Sequence, residues 1–166
     1  MTWLYGVVGL VILQRLAELV LAAHNTKRLM AEGAIEVGRR HYPLFILLHS
    51  SWLLAILLTT PAATPPHSFL LGLFVLIEIG RVWVLMSLGR FFTTRVITLP
   101  GAALVRVGPY RFVNHPNYLV VIGEIACLPL IFGNWPVALI WSLLNLALLN
   151  QRIRVENAAL QPRRVA

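Results

Sequence analysis

The sequence predicts an all-α fold, a polytopic membrane bundle of about five transmembrane helices forming a single domain over residues 1–166. Three observations carry that expectation. Apolar residues make up 58% of the chain and charged residues only 12%, with a mean hydropathy of +0.78, far from the balance of a soluble domain. Apolar stretches recur at or near the roughly 20 residues a helix needs to cross hydrocarbon, where every backbone amide must be satisfied within its own segment. Lys and Arg are gathered into alternate connections, the pattern that orients helices in a bilayer.

The first span runs from Trp3 to Ala23. Leu21-Ala22-Ala23 has the small residues of a signal cleavage site, but no basic region precedes the apolar run, and Arg15 and Glu18 lie inside it, so the segment reads as a retained helix. Pro43–Thr60 and Ser68–Leu88 follow, then the shorter Tyr118–Phe132 and Pro136–Asn150. A helix of about 15 residues covers only about 22 Å, so this last pair tilts little, extends past its apolar limits, or forms a hairpin that does not fully cross. Gly133-Asn134-Trp135-Pro136 between them signals a turn. Segment 24–42 reads as a helix or helix pair at the interface, broken near Gly33 and Gly38. Segment 89–117 alternates over Thr94–Leu99, turns at Pro100-Gly101 and resumes at Leu104–Val107, the pattern of a short hairpin or extended loop.

Charge sets the orientation. Segment 24–42 holds Lys27, Arg28, Arg39 and Arg40; segment 89–117 holds Arg90, Arg95, Arg106 and Arg111; the tail holds Arg152, Arg154, Arg163 and Arg164. The connections Pro61–His67 and Gly133–Trp135 carry no charged residue. Five crossings put all three basic segments on one side, with the amino terminus outside and the carboxyl terminus cytoplasmic. The net charge of +8 therefore implies contact with anionic lipid headgroups rather than nucleic acid. Cys127, the one cysteine, excludes an internal disulfide and any multi-cysteine metal site, and reads as a small packing residue. No His and carboxylate spacing suits a metal, and none is expected.

Ionisable side chains within spans are costly and usually face a partner or a watery cavity. Arg15, Glu18, Glu78, Arg81 and Glu124 all fall in the cytoplasmic half of their helices. Arg15 with Glu18, and Glu78 with Arg81, are three apart on one helix face; each pair either neutralises itself or lines a polar pocket open to the cytoplasm. His49 reads as a packing histidine rather than a ligand.

The sharpest motif is Gly108-Pro109-Tyr110-Arg111-Phe112-Val113-Asn114-His115-Pro116-Asn117-Tyr118, followed by Gly123-Glu124 and later by Arg152-Ile153-Arg154-Val155-Glu156-Asn157. Local physics gives it a purely structural reading: a Gly-Pro turn, Asn114 or His115 capping the fourth helix, Pro116 in its first turn, and Arg152 paired with Glu156 along one face. The same residues resemble the isoprenylcysteine carboxyl methyltransferases and their bacterial relatives and, more distantly, phospholipid methyltransferases. The likeness covers about residues 70–160, a methyltransferase-like core. The chain departs from the family pattern at Asn114, where Arg usually precedes His-Pro, and at Asn157, where a second acidic residue is common.

That resemblance implies an integral-membrane enzyme using S-adenosyl-L-methionine at the cytoplasmic end of the last helices, with a lipophilic small-molecule or lipid acceptor arriving from the membrane. It implies that His115, Tyr118 and Glu156 contact the cofactor and that Arg152 lies near the acceptor. The residue types suit such chemistry. Glu156 can pair with the cofactor's ammonium, the helix start at Pro116 can receive its carboxylate, and Tyr110, Tyr118 or Phe112 can face the sulfonium. Arg152 would orient an anionic acceptor oxygen, and His115 or the field of Arg152 would help deprotonate a phenol or enol. By fold-level analogy, small lipidic acceptors such as alkyl-pyrones or resorcinols come before prenylated proteins. Two other classes stay open. One is a transport or scaffold subunit whose ionic pairs only hold helices together; the other is a phospholipid amine N-methyltransferase.

Overall fold

The computed structural model describes residues 2–165, with side chains through Gln161, so the side chains of Arg163 and Arg164 lie outside the described residues. Five helices dominate: α1 (Trp3–Ala31), α2 (Tyr42–Thr59), α3 (Ser68–Leu88), α4 (Pro116–Ile131) and α5 (Trp135–Val165). Two short strands, β1 (Ile35–Val37) and β2 (Val96–Thr98), form the sheet. The chain is an integral membrane protein of all-α class, and α1, α2 and α3 are each long and apolar enough to cross a bilayer.

α1 and α5 run well past the apolar limits that set the expected spans. The polar residues after Ala23 and Asn150 end the lipid-compatible stretch but are adequate helix formers, so the helices continue as polar extensions. α1 stops only at Gly33, whose φ of +93° admits the left-handed turn. Ala34 N–H then closes the helix end on Leu29 C=O at 3.0 Å.

Segment 24–42 is therefore not the expected interfacial helix or helix pair: after α1 it forms β1 and a single 3-10 turn, Arg39–His41. The alternating segment Thr94–Leu99 does contain a strand, but β2 does not pair with Leu104–Val107. It pairs antiparallel with β1, Glu36 opposite Ile97, and Arg95 reinforces the ladder by bonding Glu36 at 3.2 Å. A hairpin's local period cannot name a partner sixty residues away.

α4 packs between α3 and α5, and α5 also packs on α2. Leu4, Val8, Trp52, Ile56, Ile125, Leu128 and Ile131 are fully buried at the centre, whereas Leu10, Val20, Leu58, Leu76 and Leu143 face outward. Lipid tails are as apolar as Leu, so association here rests on close packing and interhelical polar bonds rather than on expulsion of water. At the sparsely charged end, Asn134 Nδ2 ties the α4–α5 turn to Thr59 (2.8 Å) and Thr60 (2.9 Å). Trp141 Nε1 donates to Ser51 at 3.1 Å, joining α5 to α2.

The intramembrane ionic residues form one network across three helices. Arg81 bonds Glu124 through two guanidinium nitrogens, and Arg15 bonds the same carboxylate. Arg15 also reaches Glu18 at 3.1 Å, and Arg81 reaches Glu18 at 3.4 Å. Arg15 and Glu18 pair as expected. Glu78 does not pair with Arg81; it accepts Gln14 Nε2 at 2.6 Å. Glu124 is 1% exposed and Arg81 2%, so sequence spacing within α3 loses to a bidentate partner on α4.

Candidate active site

At the basic end, the 3-10 turn Gly108–Arg111 and the start of α4 are held against the end of α3. Gly108 has a φ of +56°, and a Cβ there would stand 2.1 Å from Ser87 Oγ and 3.0 Å from Trp83 Nε1. Only glycine permits that approach, and it positions Tyr110. Asn25, buried in the polar extension of α1, donates to Gly89 C=O (3.1 Å) and Phe92 C=O (2.9 Å), fixing the loop after α3. Arg90 pairs with Glu32 across the same junction.

Tyr118 sits at the centre of the site. Its hydroxyl donates to Glu156 and accepts Arg152 Nε at 2.9 Å. Arg152 also donates Nη2 to Thr94 C=O at 2.8 Å and lies over the Phe45 ring at 5.0 Å. The expected direct Arg152–Glu156 pair is absent among the described residues; the two meet through Tyr118 Oη, which intercepts both. His115 stacks on Tyr118 with ring centroids 5.4 Å apart. Its Nδ1 is 3.5 Å from Glu156, and its Nε2 is 3.1 Å from Asn157 Oδ1. His115 is the N-cap of α4 in position but makes no side-chain cap bond, and Pro116, buried, opens the helix.

Two cavities meet at this chain of bonds. One, about 600 Å³, is open to the basic side and lined by Phe91, Ile97, Arg106, Tyr110, Arg111 and Glu156 among others. The second, about 310 Å³, lies among α1, α2, α4 and α5; Tyr118 and Arg152 are in its wall, and most of its surface is apolar. Glu156 thus faces one cavity while Tyr118 and Arg152 face the other, and one phenol hydroxyl joins them. His115 and Pro116 line neither cavity, and Phe112 is exposed at 78%, away from both.

Burial pushes the Glu156 carboxyl up, but hydrogen bonds from His115 and Tyr118 and the charges of His115 and Arg152 outweigh it, holding the group below the usual carboxylate range. Burial raises the Tyr110 phenol, and the Glu156 charge raises it further, so it stays neutral.

Sequence reasoning brought forward Tyr110, His115, Pro116, Tyr118, Arg152 and Glu156, and all lie in or beside this junction. It missed Thr94, Phe45 and Asn25. Thr94 contributes a backbone carbonyl and Phe45 a ring face, neither of which has a sequence signature; a buried Asn just beyond a span was the one usable signal.

S-adenosylmethionine, the cofactor implied by the motif, can be tested against the wider cavity. Its volume falls in the small-ligand range. Glu156 offers an anionic partner for an ammonium, Arg106 and Arg111 offer cationic ones for a carboxylate, and Phe91, Ile97 and Leu104 provide apolar surface for a purine. The donor set fits the group.

Known proteins agree in sequence. The chain is 38% identical over 165 residues to the uncharacterized protein YpbQ of Bacillus subtilis (strain 168), covering 97% of each chain. It is 27% identical over 151 residues to an uncharacterized protein of Haemophilus influenzae, covering 88% of each. No solved structure matches. Residues 70–162, more than half of the chain and all of the junction from Tyr110 to Glu156, match the isoprenylcysteine carboxyl methyltransferase (ICMT) family, to which the chain therefore belongs.

Proposed function

We propose that this chain is an S-adenosyl-L-methionine-dependent methyltransferase of a bacterial cell membrane. It acts at the cytoplasmic side on an oxygen, carboxylate or phenol/enol hydroxyl, of a lipophilic acceptor. The observation that carries the reading is the pair of cavities, one polar and one largely apolar, divided by Glu156, Tyr118 and Arg152. A two-substrate transfer between a water-soluble cofactor and a membrane lipid needs such a division. The basic segments flanking the wider cavity support the cytoplasmic assignment.

Bound in the wider cavity, S-adenosylmethionine supplies a methyl group on a sulfonium whose positive charge vanishes on transfer. Glu156, ionised, would hold the ammonium, with Arg111 or Arg106 for the carboxylate. Tyr110 presents a neutral ring to the cation. Arg152 directs an acceptor oxygen toward the partition and favours its anionic form; a carboxylate needs no base there. His115, stacked on Tyr118 and bonded to Glu156 and Asn157, orients those two groups, and where the acceptor is a phenol or enol the field of Arg152 favours loss of its proton. Most of the acceleration comes from holding the acceptor oxygen and the methyl carbon in line, with water excluded from the apolar side.

Methylation of a phospholipid amine would place the transferred group elsewhere. Membranes carrying the protein, incubated with methyl-labelled cofactor, would incorporate label into extractable lipid as ester or ether methyl groups. Label found instead in amine headgroups, or no transfer to any lipid extract, would contradict the oxygen assignment.

A further inference from the structure

Arg81 and Arg152 use the same edge of the guanidinium in different ways. Arg81 Nε and Nη2 both hold Glu124, the parallel fork that recognises a carboxylate. On Arg152 the same two nitrogens are divided: Nε donates to Tyr118 Oη at 2.9 Å and Nη2 to Thr94 C=O at 2.8 Å. Tyr118 and Arg152 both line the narrower cavity. An anionic oxygen that takes this fork from that cavity displaces the phenol from Nε.

The other side of the phenol is committed as well. A hydroxyl has one proton and a carboxylate only accepts, so the proton lies toward Glu156 Oε2. Glu156 Oε1 is 3.5 Å from His115 Nδ1. Tyr118 Oη thus donates to Glu156 as a cofactor ammonium would, and accepts from Arg152 as an acceptor oxygen would. The ring is buried and stacked on His115 with centroids 5.4 Å apart, which leaves the direction of the proton and the charge on the oxygen as the adjustable parts.

The sign of the effect follows from charge. Bonded to an ionised carboxyl, the phenol oxygen is more negative and a better acceptor, the mutual strengthening seen along hydrogen-bonded chains. An ammonium on Glu156 draws off that charge, weakens the hold on Arg152 Nε and frees the fork for an anion. By linkage, an anion on Arg152 favours the ammonium on Glu156 to the same extent.

We propose that Tyr118 is a positioning residue that couples the two cavities. Its hydroxyl occupies Glu156 and Arg152 until their ligands take its place, so a cofactor in the wider cavity and an anionic acceptor in the narrower one bind more tightly together than alone. The inference rests on the methyltransferase reading for the identity of the two ligands.

The test titrates S-adenosylhomocysteine by calorimetry into the full chain in lipid nanodiscs. The bilayers are plain, or hold equal amounts of dodecanesulfonate, which is permanently anionic, or of neutral dodecanol. Dodecanesulfonate should tighten binding to the native protein about fivefold, the lower end of ordinary coupling between sites, and dodecanol should leave it unchanged. Tyr118→Phe removes the shared hydroxyl and should cut the gain to less than about twofold. A merely structural tyrosine would change the affinity by one factor in all three bilayers. Native binding that is unchanged or weakened by dodecanesulfonate overturns the proposal, and so does a gain undiminished in Tyr118→Phe, as when Arg152 closes directly on Glu156. If the Phe variant does not fold, Arg152→Gln, which removes the other end of the bridge, decides: a gain that survives it overturns the coupling. S-adenosylhomocysteine that binds but ignores the sulfonate removes the coupling and keeps the cofactor site; a folded native chain that does not bind it removes both.

Discussion

The molecule contains two charged networks, and they differ in what they leave open. Inside the membrane, Arg15, Glu18, Arg81 and Glu124 close on one another, with Glu124 receiving two guanidiniums at once. At the basic end, Glu156, Tyr118 and Arg152 form a shorter chain whose members face two different cavities. The inner network also edges the narrower cavity through Arg15, Glu18 and Arg81, but its charges are spent on each other and hold helices together, whereas Glu156 and Arg152 meet only through a phenol hydroxyl and each faces a cavity. The intramembrane cluster therefore fits the scaffold role that local pairing suggested, while the basic junction fits chemistry.

That contrast can be broken by substitution, starting where the effect is largest. Glu124→Ala removes the shared partner of the buried Arg81 and the half-buried Arg15, leaving both to Glu18 alone, and should cost about 3–5 kcal/mol, read as loss of folded protein or a large fall in unfolding midpoint. A variant as stable as the native chain would show that the inner network is not structural. Gly108→Ala forces a Cβ into Ser87 at a positive φ and should cost about 1–3 kcal/mol, together with weaker binding of S-adenosylhomocysteine as Tyr110 shifts. Intact affinity would separate the turn from the site.

Asn145 sharpens the comparison from a third direction: it is 1% exposed, and neither amide atom has a hydrogen-bond partner among the described residues. Asn145→Leu should raise stability by about 0.5–1 kcal/mol, and a loss would reveal a polar partner. The smallest effect concerns pH. Glu156 is held below the usual carboxylate range, so its ionised form, and the stability it contributes, persist above the unfolded value and are lost only as pH falls through the depressed one. In the native protein, affinity for S-adenosylhomocysteine should then persist from about pH 8 to about pH 5 and be lost only in stronger acid. A fall centred within that range would contradict the depressed carboxyl.

The sequence carried the helices because their apolar runs are long and physically obligatory in lipid. It misjudged where α1 ends, since polarity ends a membrane segment but not a helix, and for α5 it held extension past the apolar limits as one of three options. It identified β2 by alternation yet could not name β1 as the partner, and it paired Glu78 with Arg81 because spacing sees one helix at a time. At the site, the motif from Gly108 to Tyr118 and the pair Arg152 and Glu156 were readable as residue types. The bond through Tyr118 Oη and the division into two cavities were not, because both depend on how α4, α5 and the loop after α3 come together.

The central claim is that Glu156 holds a cofactor in the wider cavity without holding the fold together. Calorimetric titration of S-adenosylhomocysteine into the purified protein, native and Glu156→Ala side by side, tests it most directly. The account predicts saturable binding to the native chain and a loss of at least about tenfold in the variant, the effect of one charge-assisted hydrogen bond, with the variant still folded and its unfolding midpoint lowered only by the contribution of the ionised carboxyl. Equal affinity in the two proteins, or no binding to a native chain shown to be folded, would contradict it.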